Sequence, residues 1–441
     1  MPISDNLSTI SSLRSDDTNS SFVEEEVTNK KEPDKNHKFA KIFKISFYIF
    51  SILVFLGSFS YFIYFFYLDS IKEYSSKILL KIKSPYTVSN NVEKNNLPFG
   101  KSVKENLFYN PINGLPISED LSKDLSTRKP VAIMLNNHTD SRPQAGITDA
   151  DIIYEISAEG GISRLMPIFY SKIPERVGSV RSVRVYFMQI AAEYFPIFSH
   201  WGAAFRPVVE KNMPKAEFDV LLAKGLAETD PRADARGYGD SINLAVANTD
   251  TAPNLFYRES GLNVAIEHTG FAKFSQVYTE FKKFYSEDKW SVFEPFKLWQ
   301  FSDKEISGGI PVNSITYNFW SWPEFESIFT YNPTSKLYKR SQGGVVTVDR
   351  NTNKAIEIKT LIVQKAVQTE LNDKKKHLLF DVIGEGTATV YTNGKKYDVK
   401  WKKPSARERT VFSNLDGSEF TFPRGLIWVS VIPSENVVTE K

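Results

Sequence analysis

The sequence predicts an α/β or α+β N-terminal domain followed by a mostly antiparallel β domain, both carried on a single-pass transmembrane anchor. Three observations predict it: an uncharged apolar run near the N-terminus, strand patterns interleaved with a helix pattern from residue 131, and closely spaced short strand patterns after residue 305. A chain of 441 residues is also longer than one core usually organises, so two folded domains are expected.

The predicted anchor is the segment 45–68, which contains 24 residues and no charged side chain. As a helix it would be about 36 Å long, enough to cross a hydrocarbon layer of about 30 Å. A cleavable signal peptide has a shorter apolar stretch and small residues at its end, whereas this run closes on bulky aromatic residues. A buried core helix is the alternative, but such helices are rarely apolar on every face.

Lysines flank the anchor unevenly, with six in residues 30–44 and four in residues 72–83. This asymmetry predicts a cytoplasmic N-terminus and an extracytoplasmic body at the cell membrane, with the lipid bilayer as a partner through residues 45–68. Residues 1–44 are predicted to be a disordered cytoplasmic tail because they are rich in polar and acidic side chains. Residues 69–106, which are polar and carry several turn signals, are predicted to be a stalk.

Two folded domains are predicted beyond the stalk. Residues 107–305 form the α/β domain, in which VAIMLN, ADIIYEISAE and PIFSHWG read as strands and SVRVYFMQIAAEYF has helical period. Residues 306–435 form the β-rich domain, where Asn393-Gly394 and Asp416-Gly417 stand at hairpin positions.

Composition and motifs exclude several classes of function. The chain has no cysteine, so disulfides, thiolate metal sites and a cysteine-linked lipid anchor are ruled out. A net charge of +3 is small for a chain of this length and predicts no nucleic-acid partner. HExxH, EF-hand, P-loop and GxSxG spacings are absent, so we expect no metal, no cofactor and a non-catalytic role.

Arginine is concentrated in one region. The chain has 16 Arg and 39 Lys, yet residues 128–258 contain 10 Arg and 5 Lys. Guanidinium groups grip carboxylates and phosphates in a bidentate manner and also form buried ion pairs. Ligand binding and structural pairing both remain open at this stage.

The segment from Asp151 to Arg164 is predicted to be a hairpin that carries charged groups. Asp151, Glu155 and Glu159 are spaced by four, which places them on one face of either a helix or a strand. Alternation favours a strand, with Gly160-Gly161 as the turn. An even-length turn would then put Arg164 on the same face as Glu155 and Glu159.

The next segment predicts an anion site. Gly178 and Ser179 lead into a predicted helix, where Arg181 and Arg184 flank free backbone N–H groups. His200 ends a predicted strand and is a candidate proton carrier. In the alternative interpretation the arginines pair with carboxylates in the core and His200 is structural.

Several motifs resemble the YerB-like family of bacterial envelope proteins. Asn136 followed by Arg142-Pro143-Gln144-Ala145-Gly146, then Glu159-Gly160-Gly161 and Val180-Arg181-Ser182-Val183-Arg184, match its pattern, and the resemblance covers about residues 107–434. It implies an exported, tethered, two-part protein of unknown function. Its motif residues coincide with the charged segments described above, and the predicted ligand-binding residues are Asn136, Arg142, Glu155, Glu159, Arg164, Arg181, Arg184 and His200.

The predicted function is that of a membrane-anchored extracytoplasmic protein, non-catalytic or regulatory, that binds an anionic or glycan component of the cell wall or an envelope partner protein. One alternative is a glycan-cleaving wall enzyme in which Glu155 or Glu159 acts as the general acid. Another is a structural tether whose arginines only hold the fold.

Overall fold

The computed structural model describes residues 108–204, 214, 216–217, 220–221, 230–286 and 296–441. The predicted cytoplasmic tail (1–44), transmembrane helix (45–68) and stalk (69–106) lie outside these residues. Within the described part of the chain, no helix is both long and apolar enough to cross a membrane.

The N-terminal half alternates short strands with short helices. These elements are β1 (Phe108–Tyr109), β2 (Pro116–Ile117), α1 (Glu119–Leu125), β3 (Val131–Ile133), β4 (Leu135–Asn136), β5 (Ile152–Ser157), β6 (Ser163–Phe169), β7 (Arg176–Gly178), α2 (Val185–Ala191), β8 (Ile197–Ser199), α3 (Ala235–Ser241), β9 (Ala245–Ala247), β10 (Phe256–Arg258), β11 (Gly270–Lys273) and α4 (Val277–Phe281).

From residue 300 onward the chain is almost entirely β-structure. The strands are β12 (Gln300–Phe301), β13 (Ile310–Pro311), β14 (Ser314–Tyr317), β15 (Ser327–Asn332), β16 (Leu337–Gln342), β17 (Val345–Val346), β18 (Glu357–Ile358), β19 (Thr360–Ala366), β20 (Gln368–Glu370), β21 (Leu378–Phe380), β22 (Gly384–Thr392), β23 (Lys395–Lys403), β24 (Val411–Asn414), β25 (Thr421–Phe422), β26 (Ile427–Pro433) and β27 (Thr439–Glu440). The predicted order, a mixed α/β half followed by a mostly antiparallel β half, is confirmed.

One large sheet contains strands from both halves. Its order is β13-β23-β22-β19-β26-β5-β6-β3-β8-β9, with β24 beside β23 and β4 beside β6. The late strand β26 runs parallel to both β19 and β5, so that Val429 faces Tyr154 and Ser430 faces Glu155. The N-terminal half therefore obtains one of its central strand pairings from the end of the chain.

Both faces of this sheet are covered. On one face Tyr154 and Ile156 pack into a core with Tyr186 and Phe187 of α2. On the other face Trp428 packs with a second sheet of order β17-β16-β15-β14-β27, where its ring lies 5.9 Å from that of Phe329. All six residues of β5 are buried for this reason.

Local sequence explains several element boundaries. Ser118 accepts a hydrogen bond from the Leu121 N–H and so caps α1, which carries Glu119 and Asp120 in its first turn. Asn393 and Gly394 join β22 to β23, with φ values of 52° and 72° that match the predicted two-residue hairpin turn. The predicted hairpin of β5 and β6 also forms, with the register Ser157 opposite Ser163.

Candidate functional site

Strands β3, β5 and β8 of the N-terminal half all end at the same edge of the large sheet. Strands β3 and β5 both run antiparallel to β6, and β8 runs parallel to β3. Their direction brings Asn136, the connection after Ser157, and His200 to this edge. The predicted site residues nevertheless separate into distinct groups, because their side chains leave opposite faces of the sheet.

A cavity of about 330 Å³ opens where the two halves meet. We call it the junction cavity, because residues 139–144 form one wall and strands β16 and β17 with their flanks form the other. Its lining residues are Thr139, Arg142, Pro143, Gln144, Glu324, Arg340, Gln342, Gly343, Val345, Val346, Thr347 and Val348.

Arg142 is the predicted site residue that lines this cavity. Its Nε and Nη2 donate to the Asn137 carbonyl, its Nη1 donates to the Glu324 carbonyl, and its guanidinium lies 4.9 Å above the Phe325 ring. None of the described carboxylates forms a salt bridge with it. Burial, followed by the nearby charge of Arg340, lowers its pKa to about 10, so the cation is present at neutral pH without a paired anion.

Glu155 lies behind the cavity in a fully buried ion pair. Arg340 Nη2 donates to its Oε1 at 2.8 Å, and the two side chains are 1% and 0% exposed. Ser163 Oγ donates to the same oxygen, while Trp428 Nε1 donates to Oε2. Because Glu155 comes from the N-terminal half and Arg340 and Trp428 from the C-terminal half, this pair joins the halves.

Two buried polar atoms beside the cavity have no hydrogen-bond partner. They are Nε of Arg340 and Oε1 of Gln342, on residues that are 1% and 2% exposed. Gln342 Nε2 donates to the Phe325 carbonyl, which fixes the orientation of its amide group. Buried polar atoms are normally paired, so this donor and this acceptor are exceptions among the described residues.

Glu159, Arg164 and Arg184 form a separate cluster. Arg184 Nε and Nη2 hold the two Glu159 oxygens at 2.6 Å each, and Arg164 Nη2 lies 3.6 Å from Oε2. Burial would raise the Glu159 pKa, but Arg184 and then Arg164 outweigh it and hold this pKa at about 2. Arg184 is thus engaged in a bidentate internal pair at the entrance of α2, where sequence predicted an anion site.

The prediction that Arg164 shares a face with Glu155 and Glu159 is wrong. Arg164 stands opposite Ile156 in the hairpin register, which places it on the other face of the sheet from Glu155. Residues 158–162 form an odd-length connection, whereas the prediction assumed an even one. Glu159 reaches Arg164 because it lies in a single 3₁₀ turn after the strand has ended.

Asn136 belongs to a third group together with His138, Asp140 and His268. Asn136 Nδ2 lies 2.8 Å from His268 Nδ1, and the two imidazole rings stack with centroids 4.6 Å apart. The Asp140 carboxylate lies 3.6 Å from His138 Nδ1 and 3.9 Å from His268 Nε2. The possible ligand atoms of His138, Asp140 and His268 lie close enough together to hold a metal ion. In this arrangement, however, His138 Nδ1 already accepts the Asp140 N–H, and His268 Nδ1 faces an amide NH₂.

Arg181 and His200 lie apart from the junction cavity. Arg181 is half-buried and its Nη1 donates to the Glu267 carbonyl at 3.3 Å. His200 is 2% exposed and its Nδ1 donates to the Gly202 carbonyl at 2.7 Å. Burial lowers the His200 pKa to about 4, so the ring is neutral at pH 7 and has the features of a structural histidine.

Sequence reasoning missed Arg340 and Gln342, although a signal for them was present. Tyr338, Arg340 and Gln342 alternate along β16 and are all buried, whereas Lys339 and Ser341 between them are not. In a strand every second side chain points to the same face, so if Tyr338 faces inward, Arg340 and Gln342 face inward as well. Glu155, the partner of Arg340, is 185 residues away and could not be paired with it by spacing.

The shared sheet and the junction cavity define a two-part protein in which each half supplies one wall of the candidate site. Two family models match the chain: "Protein of unknown function (DUF3048) N-terminal domain" over residues 118–285, and the DUF3048 C-terminal domain over residues 315–429. The chain belongs to this two-part, YerB-like family, as the motifs predicted.

A sequence comparison and a structure comparison with a Bacillus subtilis protein agree with this assignment. The chain is 26% identical over 326 residues to a protein named "Putative lipoprotein YerB" from strain 168, covering 73% of this chain and 86% of that protein. It also resembles the crystal structure of the YerB protein, with a TM-score of 0.57 and 24% identity over 75% of this chain and 99% of that chain. The structural comparison shows that the fold is shared.

Proposed function

We propose that this chain is a membrane-anchored extracytoplasmic protein that binds an anionic component of the cell envelope in the junction cavity. The observation that carries the proposal is the Arg142 guanidinium, which lines the cavity as a cation with no described carboxylate in a salt bridge to it. An anion that entered the cavity would gain a charge-assisted hydrogen bond with this group. The uncharged run 45–68 supports attachment to the membrane, and so does the name of the Bacillus subtilis relative, "Putative lipoprotein YerB".

The properties of the two candidate carboxylates favour binding over glycan cleavage. A general acid must hold a proton near neutral pH, whereas Arg184 and Arg164 keep the Glu159 pKa at about 2. Glu155 is fully buried, and its two oxygens accept hydrogen bonds from Ser163, Asn137, Arg340 and Trp428, so this carboxylate is held inside the fold and is not presented to a sugar.

Binding can be tested with the full-length chain and purified cell-wall fragments in a sedimentation assay. Arg142→Ala should reduce binding by about tenfold or more, and Arg142→Lys should reduce it by less, because lysine keeps the charge but loses the planar geometry. Arg424→Lys is a matched control: Arg424 is also half-buried and donates to a backbone carbonyl, but it lies outside the cavity. Wild-type binding by Arg142→Ala would overturn the proposal for this site.

Attachment and orientation need a separate experiment. We expect protease treatment of intact cells to digest the body while leaving the first 44 residues protected, and deletion of residues 45–68 to release the chain from the membrane fraction. Survival of the body in unpermeabilised cells would contradict the orientation. Retention of the deletion variant in the membrane fraction would contradict the anchor.

A further inference from the structure

We infer that Trp320 and Trp322 form a platform for sugar rings beside the junction cavity, and that the anionic ligand of this protein is a glycan. The inference rests on the proposed function, since the acid group of the ligand lies at Arg142, and it adds the chemical class of the ligand. Three features carry it: exposed aromatic surface, a rigid segment that presents this surface, and its position next to Arg142. We call Trp320 and Trp322 the tryptophan platform.

The two indole side chains are unusually exposed for tryptophan. Trp320 is 45% and Trp322 is 51% exposed, whereas the other four described tryptophans are half-buried or buried. Single apolar side chains are common at a protein surface, but two of the largest within three consecutive residues form a patch. Such a patch is typical of a contact surface for a ligand.

The segment that carries the platform is held in one conformation. Asn318 accepts a hydrogen bond from the Trp320 N–H and donates one to the Trp322 carbonyl, and its own carbonyl accepts one from Asn436. Trp320 also packs on Gly161, where an added Cβ would lie 2.6 Å from Cβ of Trp320. Because the platform is ordered before a ligand arrives, binding loses less conformational entropy.

The platform adjoins the wall of the junction cavity. After Trp322 the chain makes the 3₁₀ turn Pro323–Phe325, in which the Phe325 N–H donates to the Trp322 carbonyl. The Arg142 guanidinium lies above the Phe325 ring and donates to the Glu324 carbonyl. A ligand that extends along this one turn can therefore contact Trp322 and Arg142 together.

Hydrogen bonding along the segment favours a glycan over an extended peptide. An extended peptide binds through main-chain donors and acceptors, whereas the carbonyls of Trp322, Pro323 and Glu324 already accept hydrogen bonds within the protein. Pro323 also has no N–H to offer. A sugar ring needs only the flat face of an indole for its C–H groups, because its hydroxyl groups can stay in water.

The distribution of charge favours a glycan over a membrane surface. Glu324 is exposed and Glu326 is half-buried just after the platform, and both carboxylates would repel a continuous layer of anionic headgroups. A glycan with one acid group in each repeat can place a neutral ring on Trp322 and its acid group at Arg142.

Calorimetric titration of the full-length chain with four probes tests the chemical class. They are a hyaluronan oligosaccharide, in which N-acetylglucosamine alternates with a sugar acid, a tetramer of N-acetylglucosamine, a hexaglutamate peptide and glycerol phosphate. We expect the hyaluronan oligosaccharide to bind saturably and the neutral tetramer to bind about tenfold more weakly, because it has no acid group for Arg142. The peptide and glycerol phosphate should show no binding that depends on Trp322.

Variants at the platform assign the contacts. Trp322→Ala should weaken binding of both oligosaccharides about tenfold or more with an unchanged melting temperature, and Trp322→Phe should keep part of the affinity because it retains a flat ring. Arg142→Ala should weaken binding of the hyaluronan oligosaccharide and leave that of the neutral tetramer unchanged. Phe284→Ala is the matched control, since Phe284 is a 50% exposed aromatic residue after α4 in the N-terminal half.

The outcomes separate this inference from the proposed function. Absence of binding by both oligosaccharides, equal binding by wild type and Trp322→Ala, or Trp322-dependent binding of the peptide or glycerol phosphate would overturn the glycan platform. In the sedimentation assay, loss of wall fragments by Arg142→Ala but not by Trp322→Ala would overturn it and leave the proposed function in place. Loss by Trp322→Ala but not by Arg142→Ala would overturn the proposed function at Arg142 and support the stacking of sugars.

Discussion

Buried carboxylates connect the two halves through individual side chains. Glu155 pairs with Arg340, and Glu193 pairs with Lys403 and Arg409, with all of these side chains at most 1% exposed. Burial would raise the Glu193 pKa, but Lys403 and then Arg409 outweigh it and lower this pKa. In both cases the carboxylate belongs to the N-terminal half and the cations to the C-terminal half.

We predict that Glu155→Gln lowers the free energy of unfolding by about 3 to 5 kcal/mol, because it leaves the Arg340 guanidinium buried without a counter-charge. Urea unfolding followed by tryptophan fluorescence would measure this loss. The matched control is Glu119→Gln, which removes an exposed pair with Lys123 and should cost less than about 1 kcal/mol. A Glu155→Gln variant as stable as the control would contradict the importance of the pair.

We predict that Glu159 makes stability depend on acid pH. Its pKa is about 2 in the folded chain against 4.5 for the unperturbed group, so the unfolded chain binds the proton more readily between these values. The stabilisation is complete above about pH 5, where it is on the order of 3 kcal/mol, and is lost as the pH falls toward 2. Denaturant melts of wild type and Glu159→Gln from pH 7 to 2 should converge at the acid end; a constant difference would contradict the prediction.

The hairpin of β5 and β6 shows how one turn positions charged groups. Its connection contains Gly160 and Gly161, with φ values of 69° and 73°, which favour glycine. A Cβ on Gly160 would meet no atom within 4 Å, whereas one on Gly161 would lie 2.6 Å from Cβ of Trp320. The turn of the N-terminal half is therefore shaped by a side chain of the C-terminal half.

This contrast predicts different costs for two equivalent substitutions. Gly160→Ala should cost about 1 to 2 kcal/mol from the left-handed backbone alone. Gly161→Ala should cost about 3 kcal/mol or more, because Trp320 must also move. Thermal or urea unfolding compares the two directly, and the added variant Trp320→Gly, which also removes the Trp320 Cβ, should bring the cost of Gly161→Ala down to that of Gly160→Ala. Equal costs in the presence of Trp320 would contradict the close packing.

Considered as a whole, the molecule is two family domains built on one sheet. Strand β26 pairs along its whole length with β19 and along five residues with β5. The described residues belong to one compact unit rather than to two separable ones. A protein with such a shared strand should lose both halves together when it unfolds.

We therefore predict that neither half folds alone. Residues 108–286 expressed without the rest lack β26, so β5 keeps β6 on one side but has no neighbouring strand on the other, and we expect no cooperative thermal transition by near-ultraviolet circular dichroism. Co-expression with residues 296–441 should restore the transition. The full-length chain should show one transition for its body in calorimetry, and two well-separated transitions would contradict the shared core.

The candidate site could be predicted from sequence only in part. The concentration of arginines between residues 128 and 258 indicated guanidinium chemistry, and Arg142 and Glu155 do lie at or behind the junction cavity. The prediction was wrong about which face of the sheet some side chains lie on and about which residues they pair with. It grouped Glu155 with Glu159 and Arg164, although one extra residue in the turn separates Glu155 from the other two.

The sequence by itself predicted the structural features that depend on residues close together in the chain. The alternation that forms β5, the two-residue turn at Asn393-Gly394, the helical period of α2 and the family motifs all depend on contacts within a few positions. The pairing of Glu155 with Arg340, of His268 with Asn136, and of β26 with β5 joins residues more than a hundred positions apart. Such pairings are selected by the burial of surfaces that meet only after the chain has closed long loops, so spacing in the sequence contains no record of them.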